Sequence, residues 1–171
     1  MLITVMSDAS FCPTTKAAGY GYWIACDRGK IAGSGAFRVD VPSSGVAELL
    51  AAVNAIDRAC KEGLVEKGDM ILVQSDCLSA VKAFSFGRNR NSFCDLAWQG
   101  MLHVFNLRRE IGFKLKGKHV KGHSANISSR FASNNLCDQK AYEAMQKDKD
   151  SKKHGKVRSS KESVSNNKSS K

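Results

Sequence analysis

The sequence predicts an α/β domain with a mixed five-stranded sheet, three antiparallel strands followed by parallel ones, and helices on both faces. Apolar and β-branched runs separated by turn signals fill the first 40 residues, which is typical of adjacent antiparallel strands. Beyond them, segments with the 3.6-residue helical period alternate with short apolar runs, the pattern of parallel strands joined through helices. A chain of 171 residues suits one such domain with an appendage.

The three antiparallel strands are expected within residues 2–39. Residues 2–6 are apolar or β-branched, as in a strand buried on both faces, and 11–18 form a loop around Pro13. Residues 20–26 and 30–39 are two strands joined by the hairpin signal Asp27-Arg28-Gly29. Glycines at 19, 21, 33 and 35 indicate bulges, close approach by a ligand, or tight packing against a helix.

The remaining elements alternate helices with parallel strands. A serine cap at 43–44 opens a helix that ends at Gly63, and 70–73 is a short buried strand followed by a helix from Leu78 to Gly87. Residues 92–95 resemble a capping box opening a helix that stops at Gly112. Residues 113–120 alternate apolar residues with lysines, as in a strand with one wet face, and 136–145 form the last helix.

Four acids lie at the edges of these elements: Asp8, Glu48, Asp76 and Asp138. Asp8 closes the first strand, Asp76 follows the fourth, and the other two are expected in the first turns of their helices. Taken singly, Asp8 suits the start of a turn and Glu48 the dipole of its helix. If strands one and four are adjacent, however, the four carboxylates converge, and they would repel one another unless divalent cations neutralise them. In a basic protein such a cluster indicates two-metal phosphoryl chemistry.

The formal net charge of +11 favours a polyanionic partner, nucleic acid before membrane, although a merely solvated surface is the alternative. Residues 147–171 contain nine Lys or Arg and three acids, and so contribute +6 of that charge. This segment is almost free of apolar residues, which predicts a disordered basic tail after a catalytic domain of residues 1–146.

Six scattered cysteines without zinc spacing are typical of reduced, mostly structural thiols in an intracellular protein. Neither a signal peptide nor an apolar run of membrane-spanning length is apparent. We therefore expect a cytoplasmic monomer that makes no membrane contact.

Four short motifs lie in order within residues 1–146: Asp8-Ala9-Ser10, then Ala47-Glu48-Leu49-Leu50-Ala51, then Ser75-Asp76, and last Val120-Lys121-Gly122-His123 followed by Asn134-Asn135-Leu136-Cys137-Asp138. Together they make the sequence resemble ribonuclease HI over these residues. The last motif is similar to the family's VKGH loop and its N-x-x-C-D segment, the second resembles its acid-bearing helix start, the third its third signature, and the first its D-G-S.

The resemblance implies the ribonuclease H-like fold and hydrolysis of the RNA strand of RNA–DNA hybrids, leaving 5′-phosphate and 3′-hydroxyl ends. It implies that Asp8, Glu48, Asp76 and Asp138 bind two Mg²⁺ ions, with Mn²⁺ as a substitute, and that His123 shuttles a proton or helps product leave. An ordinary loop histidine is the alternative for His123. Substrate contacts are implied for Ser10, Ser44, Lys121 and Asn134.

Several positions depart from the family pattern. Ala9 replaces a glycine, Ser44 and Gly45 replace paired asparagines that grip the hybrid, and Leu78 replaces a polar residue. The segment 87–92 is too short for the basic handle of many bacterial members. Two alternatives to a hybrid-specific nuclease therefore stay open, namely a nuclease of the same fold acting on another duplex or a DNA junction, and a catalytically silent hybrid-binding module.

Overall fold

The computed structural model describes residues 1–85, 90–120 and 129–165, with only the backbone described at 85, 129–131 and 154–165. The elements in chain order are β1 (Leu2–Phe11), β2 (Ala18–Cys26), β3 (Gly29–Ala36), α1 (Ser44–Lys61), β4 (Met70–Ser75), α2 (Leu78–Ser85), a 3₁₀ turn (Arg90–Ser92), α3 (Asp95–Ile111), β5 (Lys114–His119) and α4 (Ser129–Ser165).

The sheet has the strand order β3-β2-β1-β4-β5, which confirms the predicted mixed five-stranded sheet. β2 pairs antiparallel with β1 and β3, whereas β4 pairs parallel with β1 and β5. Strands β1 and β4 are central and adjacent. Their alternate residues Ile3, Val5, Ile71 and Val73 are fully buried in the core that also includes the apolar face of α1.

β1 is longer than the sequence indicates, and Asp8 lies inside the strand rather than at its end. Pairing with β4 stops at Met6 and Gln74, but pairing with β2 continues through Asp8, opposite Gly21, as far as Phe11. The antiparallel partner therefore holds the extra residues of β1 in strand geometry. Continued by two residues, the β1–β4 register places Asp8 beside Asp76.

Helix α1 begins as predicted, with the Ser43 hydroxyl accepting a 3.4 Å hydrogen bond from the Val46 amide. It ends at Lys61, and Gly63 follows with a left-handed φ of 69°. Glu48 lies in the second turn of the helix rather than in the first, so the helix dipole does not explain it.

Helix α3 begins differently from the predicted capping box. Its N-cap is Cys94, which makes no side-chain capping bond, and Ser92 belongs to the preceding 3₁₀ turn. The carboxylate of Asp95 pairs with the guanidinium of Arg90 instead of closing a capping box. The helix stops at Gly112, in the left-handed region, as predicted.

Helix α4 is much longer than the predicted 136–145, so Asp138 lies in its third turn and residues 147–165 are helical rather than disordered. Two side chains dock the extension. The Asp148 carboxylate accepts a 3.1 Å hydrogen bond from the Ala18 amide. The Lys152 ammonium donates to the Lys16 carbonyl at 2.9 Å and pairs with Asp148. The division at residue 146 stays a prediction.

Gly19 and Gly21 of β2 allow α4 to pack closely on the sheet. A Cβ at Gly21 would lie 2.2 Å from the Cys137 carbonyl oxygen, and one at Gly19 would lie 2.3 Å from the Met145 amide nitrogen. No real side chain fits at those distances. Of the three alternatives left open for these two glycines, the structure supports tight packing against a helix.

All six cysteines lie in described segments, and all are free thiols, with Cys137 fully buried. Within the described residues, no helix has both the length and the apolar content that crossing a membrane requires.

Candidate metal centre

Three of the four predicted acids meet at the end of β4. Asp8, Glu48 and Asp76 each offer a carboxylate oxygen, and these oxygens lie within 4.8 Å of one another. Asp8 comes from the interior of β1, Glu48 from the second turn of α1 and Asp76 from the β4–α2 connection. The cluster therefore joins the centre of the sheet to two of its crossover connections.

The backbone at Asp76 is held from two sides. The Ser75 hydroxyl accepts a 3.0 Å hydrogen bond from the Cys77 amide, which turns the chain sharply after β4. The Asp76 carbonyl accepts a 2.9 Å hydrogen bond from Nε2 of His119, at the end of β5. Because a carbonyl only accepts, this Nε2 carries the proton. The sequence alone suggests a structural or solvated His119; its register opposite Ser75 is the signal that could have identified it as a positioning residue.

The metal-free cluster is electrostatically crowded. Burial, followed by the charge of Asp76, raises the pKa of Asp8 to about 6, against the opposing 2.8 Å hydrogen bond from the Ala9 amide. Burial and the neighbouring charge of Asp8 raise the pKa of Glu48 to about 10. At neutral pH the metal-free protein therefore retains a proton on Glu48, which donates to Asp8.

The donors fit a hard divalent cation. All three offer carboxylate oxygens, the ligands that Mg²⁺, Mn²⁺ and Ca²⁺ prefer. Oε2 of Glu48 is buried and has no hydrogen-bond partner among the described residues. A buried oxygen in that state is costly unless a ligand completes it. The cluster can therefore hold a divalent cation, and the cation would displace the retained proton.

The fourth acid, Asp138, is exposed on α4 and does not belong to the three-acid group, although its charge contributes to the raised pKa of Asp8. The neighbouring Cys137 is buried against β1, with its Sγ 3.6 Å from the Met6 carbonyl oxygen. This contact and the glycines of β2 fix α4, and thereby place Asp138 on the same side of the sheet as Asp8.

The residues predicted to contact the substrate lie on different elements of the fold. Ser10 is half-buried in β1, two residues after Asp8 and on the same face of the strand. Ser44 is exposed at the first position of α1, and Asn134 is half-buried in α4. Lys121 and His123 lie outside the described residues, so their predicted roles stay predictions.

Comparisons with known proteins reveal a likeness of structure. No protein-family profile matches the chain, and no curated protein matches its sequence. Among solved structures, RNase H1 of the halophilic archaeon Halobacterium salinarum is similar with a TM-score of 0.62 and 16% identity, covering 86% of this chain and 99% of the other. The N-terminal RNase H domain of a Mycobacterium tuberculosis protein is similar with a TM-score of 0.59 and 17% identity, and the match covers 88% of this chain and 97% of the other.

A third similar structure is LC11-RNase H1 in complex with an RNA/DNA hybrid. Its TM-score is 0.57 at 17% identity, and the match covers 84% of this chain and 99% of the other. The three matches each span almost the whole of the solved chain, so the likeness extends over a complete domain. At such low identities it is a likeness of fold.

Proposed function

We propose that this chain, which has the ribonuclease H-like fold, is a metal-dependent endonuclease that hydrolyses the RNA strand of RNA–DNA hybrids. The observation that carries the proposal is the cluster of Asp8, Glu48 and Asp76, with its buried Glu48 oxygen that has no partner among the described residues. A binding protein gains nothing from carboxylates this crowded, because they repel both one another and a phosphate backbone.

In the proposed mechanism these three acids, with Asp138 from α4, hold two Mg²⁺ ions, and Mn²⁺ substitutes for them. Two such ions would supply an activated water and stabilise the leaving oxygen of the cleaved phosphodiester, which yields 5′-phosphate and 3′-hydroxyl ends. His119 holds the backbone of Asp76 in place from β5. His123 moves a proton or assists product release.

Two observations support a nucleic-acid substrate. The formal charge of +11 suits a polyanion, and the structurally similar LC11-RNase H1 was solved with an RNA/DNA hybrid. We propose Ser10, Ser44, Lys121 and Asn134 as its contacts. Intracellular, cytoplasmic action as a monomer completes the proposal.

A nuclease of the same fold that cleaves another duplex or a DNA junction is the second candidate. Gly45 and Leu78 favour it: both are exposed, and neither offers a polar side chain to grip a hybrid. A silent hybrid-binding module is the less favoured alternative, because it leaves the acid cluster without a purpose.

One assay separates the three. Labelled RNA–DNA hybrid, double-stranded RNA, double-stranded DNA and a DNA junction are each incubated with Mg²⁺, with Mn²⁺ or with EDTA. The proposal expects cleavage of the hybrid RNA strand that needs the metal and disappears in Asp8→Asn. Glu110→Gln, which removes an exposed carboxylate on α3, is the matched control and should cleave normally. Cleavage of another substrate alone supports the second candidate, and hybrid binding without cleavage in any metal supports the silent module.

A further inference from the structure

A groove lined by aromatic and cationic side chains runs along the outer side of α1. Its lining includes Tyr20 and Tyr22 of β2 and Phe37 after β3, and it encloses about 720 Å³. We call it the aromatic groove. None of these residues belongs to the metal centre, and a cavity of this volume falls in the range of small-ligand sites.

The floor of the aromatic groove is a pair of tyrosine rings from β2 that lie across the neighbouring edge strand, β3. The rings of Tyr20 and Tyr22 are nearly parallel, at 19°, with centroids 6.4 Å apart. They lie over the glycines that pair with them: a Cβ at Gly33 would be 2.4 Å from the Tyr22 hydroxyl oxygen, and one at Gly35 would be 2.8 Å from that of Tyr20. Bare backbone at both glycines therefore leaves room for this pair of rings, which we call the tyrosine platform, at the floor of the groove.

The wall of the aromatic groove is a stripe of α1. Leu50, Asn54, Arg58 and Lys61 line it at the three- and four-residue spacing of one helix face. Lys61 lies eleven positions after Leu50 along the helix, a rise of about 16 Å.

The charge of the aromatic groove is positive. Arg38 lines it and has no acidic partner among the described residues. Arg58 also lines it, in an ion pair with the exposed Glu62. The acid of the lining, Asp57, forms an ion pair with Lys61 at 2.6 Å and shares a 2.7 Å hydrogen bond with His103.

Both arginines lie close to the platform. Burial raises the pKa of the Tyr20 phenol, and the positive charges of Arg38 and Arg58 act against that rise. A ligand lying on the tyrosines therefore has two guanidinium groups beside it.

We infer that the aromatic groove binds a nucleobase together with its attached phosphate. The base stacks on the Tyr20 and Tyr22 platform, and the phosphate pairs with Arg38 and Arg58. Stacking on tyrosine favours any base because every base has a π-face, and guanidinium groups suit phosphate oxygens by charge and by geometry. This chemistry is offered by a single strand that extends from a nucleic-acid substrate and by a free nucleotide. The first source rests on the proposed function, whereas the second does not.

Titration calorimetry in EDTA tests the inference with two probes, a single-stranded hexathymidylate and thymidine 5′-monophosphate. The double variant Tyr20→Leu/Tyr22→Leu keeps apolar cover over the glycines but removes the aromatic faces, and we expect it to weaken binding at least about tenfold. Arg38→Gln should weaken binding several-fold. Lys116→Gln, on the exposed edge of β5, loses the same charge outside the groove and should change affinity less than about twofold.

Each result is decisive. Variant-sensitive binding of the hexamer alone identifies a strand-binding groove, and equally sensitive binding of the monophosphate identifies a nucleotide site. If neither probe binds the unaltered chain, or if the double variant binds as well as Lys116→Gln, the inference is wrong.

A second measurement avoids mutagenesis in case the double variant does not fold. Adding the hexamer to the unaltered chain should shift the ring-proton NMR signals of Tyr20 and Tyr22, and unshifted signals contradict stacking. Because these experiments contain EDTA, their outcome is independent of whether the chain cleaves a hybrid.

Discussion

Replacing Glu48 by glutamine should stabilise the metal-free protein while abolishing the metal-dependent cleavage that we propose. In the folded chain the pKa of Glu48 is raised to about 10, so at neutral pH its carboxyl keeps a proton that an unfolded chain, with a pKa of 4.5, has lost. Each pH unit above 4.5 costs the folded state about 1.4 kcal/mol. At pH 7 this amounts to about 3 kcal/mol for an isolated group. Since Asp8 shares the proton, we expect Glu48→Gln to recover about 1 to 3 kcal/mol.

The sign of the pH dependence follows from the same shift. Between about pH 4.5 and 10 the folded state binds more protons than the unfolded state through Glu48, so this group lowers stability as the pH rises. Glutamine does not titrate, yet its amide can still donate to Asp8. The advantage of the variant should therefore vanish near pH 4.5 and grow toward pH 8.

Urea unfolding in EDTA at about pH 4.5, 6 and 7.5 measures this difference, with Glu110→Gln as the exposed control expected to stay within about 0.5 kcal/mol of the unaltered chain. Excess Mg²⁺ should then reverse the order, because on the proposed function the unaltered chain binds the ion and the variant binds it poorly. A variant that is less stable at pH 7.5 without metal, or whose advantage persists at pH 4.5, would refute the electrostatic reasoning.

Four further outcomes are expected. Gly21→Ala should lower the free energy of unfolding in urea by about 2 kcal/mol or more, because its Cβ would lie 2.2 Å from the Cys137 carbonyl oxygen. Gly45→Ala, which has nothing within 4 Å of its Cβ, is the control and should be neutral or stabilising. Equal effects of the two substitutions would contradict close packing of α4. Asp69→Asn should lower the urea midpoint at pH 7, since it breaks the 2.6 Å ion pair between the buried Asp69 carboxylate and the half-buried Arg28. Because hydrogen bonds from Arg28 and the N-terminal ammonium lower the pKa of Asp69, that stabilisation exists above about pH 4 and is lost below it, so the cost should shrink in acid; a constant cost from pH 3 to 7 would argue against the ion pairs. Truncation after Met145 should lower the free energy of unfolding by about 1 kcal/mol or more, whereas truncation after Lys153 keeps the Asp148 and Lys152 contacts and should not. Both truncations should weaken hybrid binding, and the slope of log affinity against log salt should become shallower by roughly 0.9 for each phosphate that the basic segment no longer neutralises. Equal slopes for the full and truncated chains would show that this segment does not contact the hybrid. His123→Ala should slow turnover by about 10²-fold or less with hybrid binding nearly intact, and unchanged single-turnover and steady-state rates would remove His123 from the mechanism.

The mixed five-stranded sheet and the acids at its edges could be predicted, because each depends on local patterns, whereas the adjacency of β1 and β4 could only be assumed. Short apolar runs and helical periods identify β1, β4 and α1, and acids at their edges converge once β1 and β4 are adjacent. The length of β1 could not be predicted, because residues 7–11 are held as a strand by pairing with β2 and not by their own composition.

The extent of α4 illustrates the same limit over a longer distance. Composition after residue 146 favours disorder, but Asp148 binds the amide of Ala18, 130 residues away in sequence. Helix propensity depends on the local sequence alone, so it cannot predict a contact between residues this far apart in the chain. The positioning role of His119 escapes prediction for a similar reason, since its partner is a backbone carbonyl on a neighbouring element.

The position of α4 has a consequence for how the chain is made. Among the described elements, α4 alone packs on the face of the sheet formed by Gly19 and Gly21, whereas α1 covers the opposite face. During synthesis, β1, β2 and β3 leave the ribosome long before α4, so one face of the nascent sheet stays exposed to solvent until α4 emerges. A nascent chain of this protein is therefore exposed to misassembly until α4 docks, and α4 brings Asp138 with it.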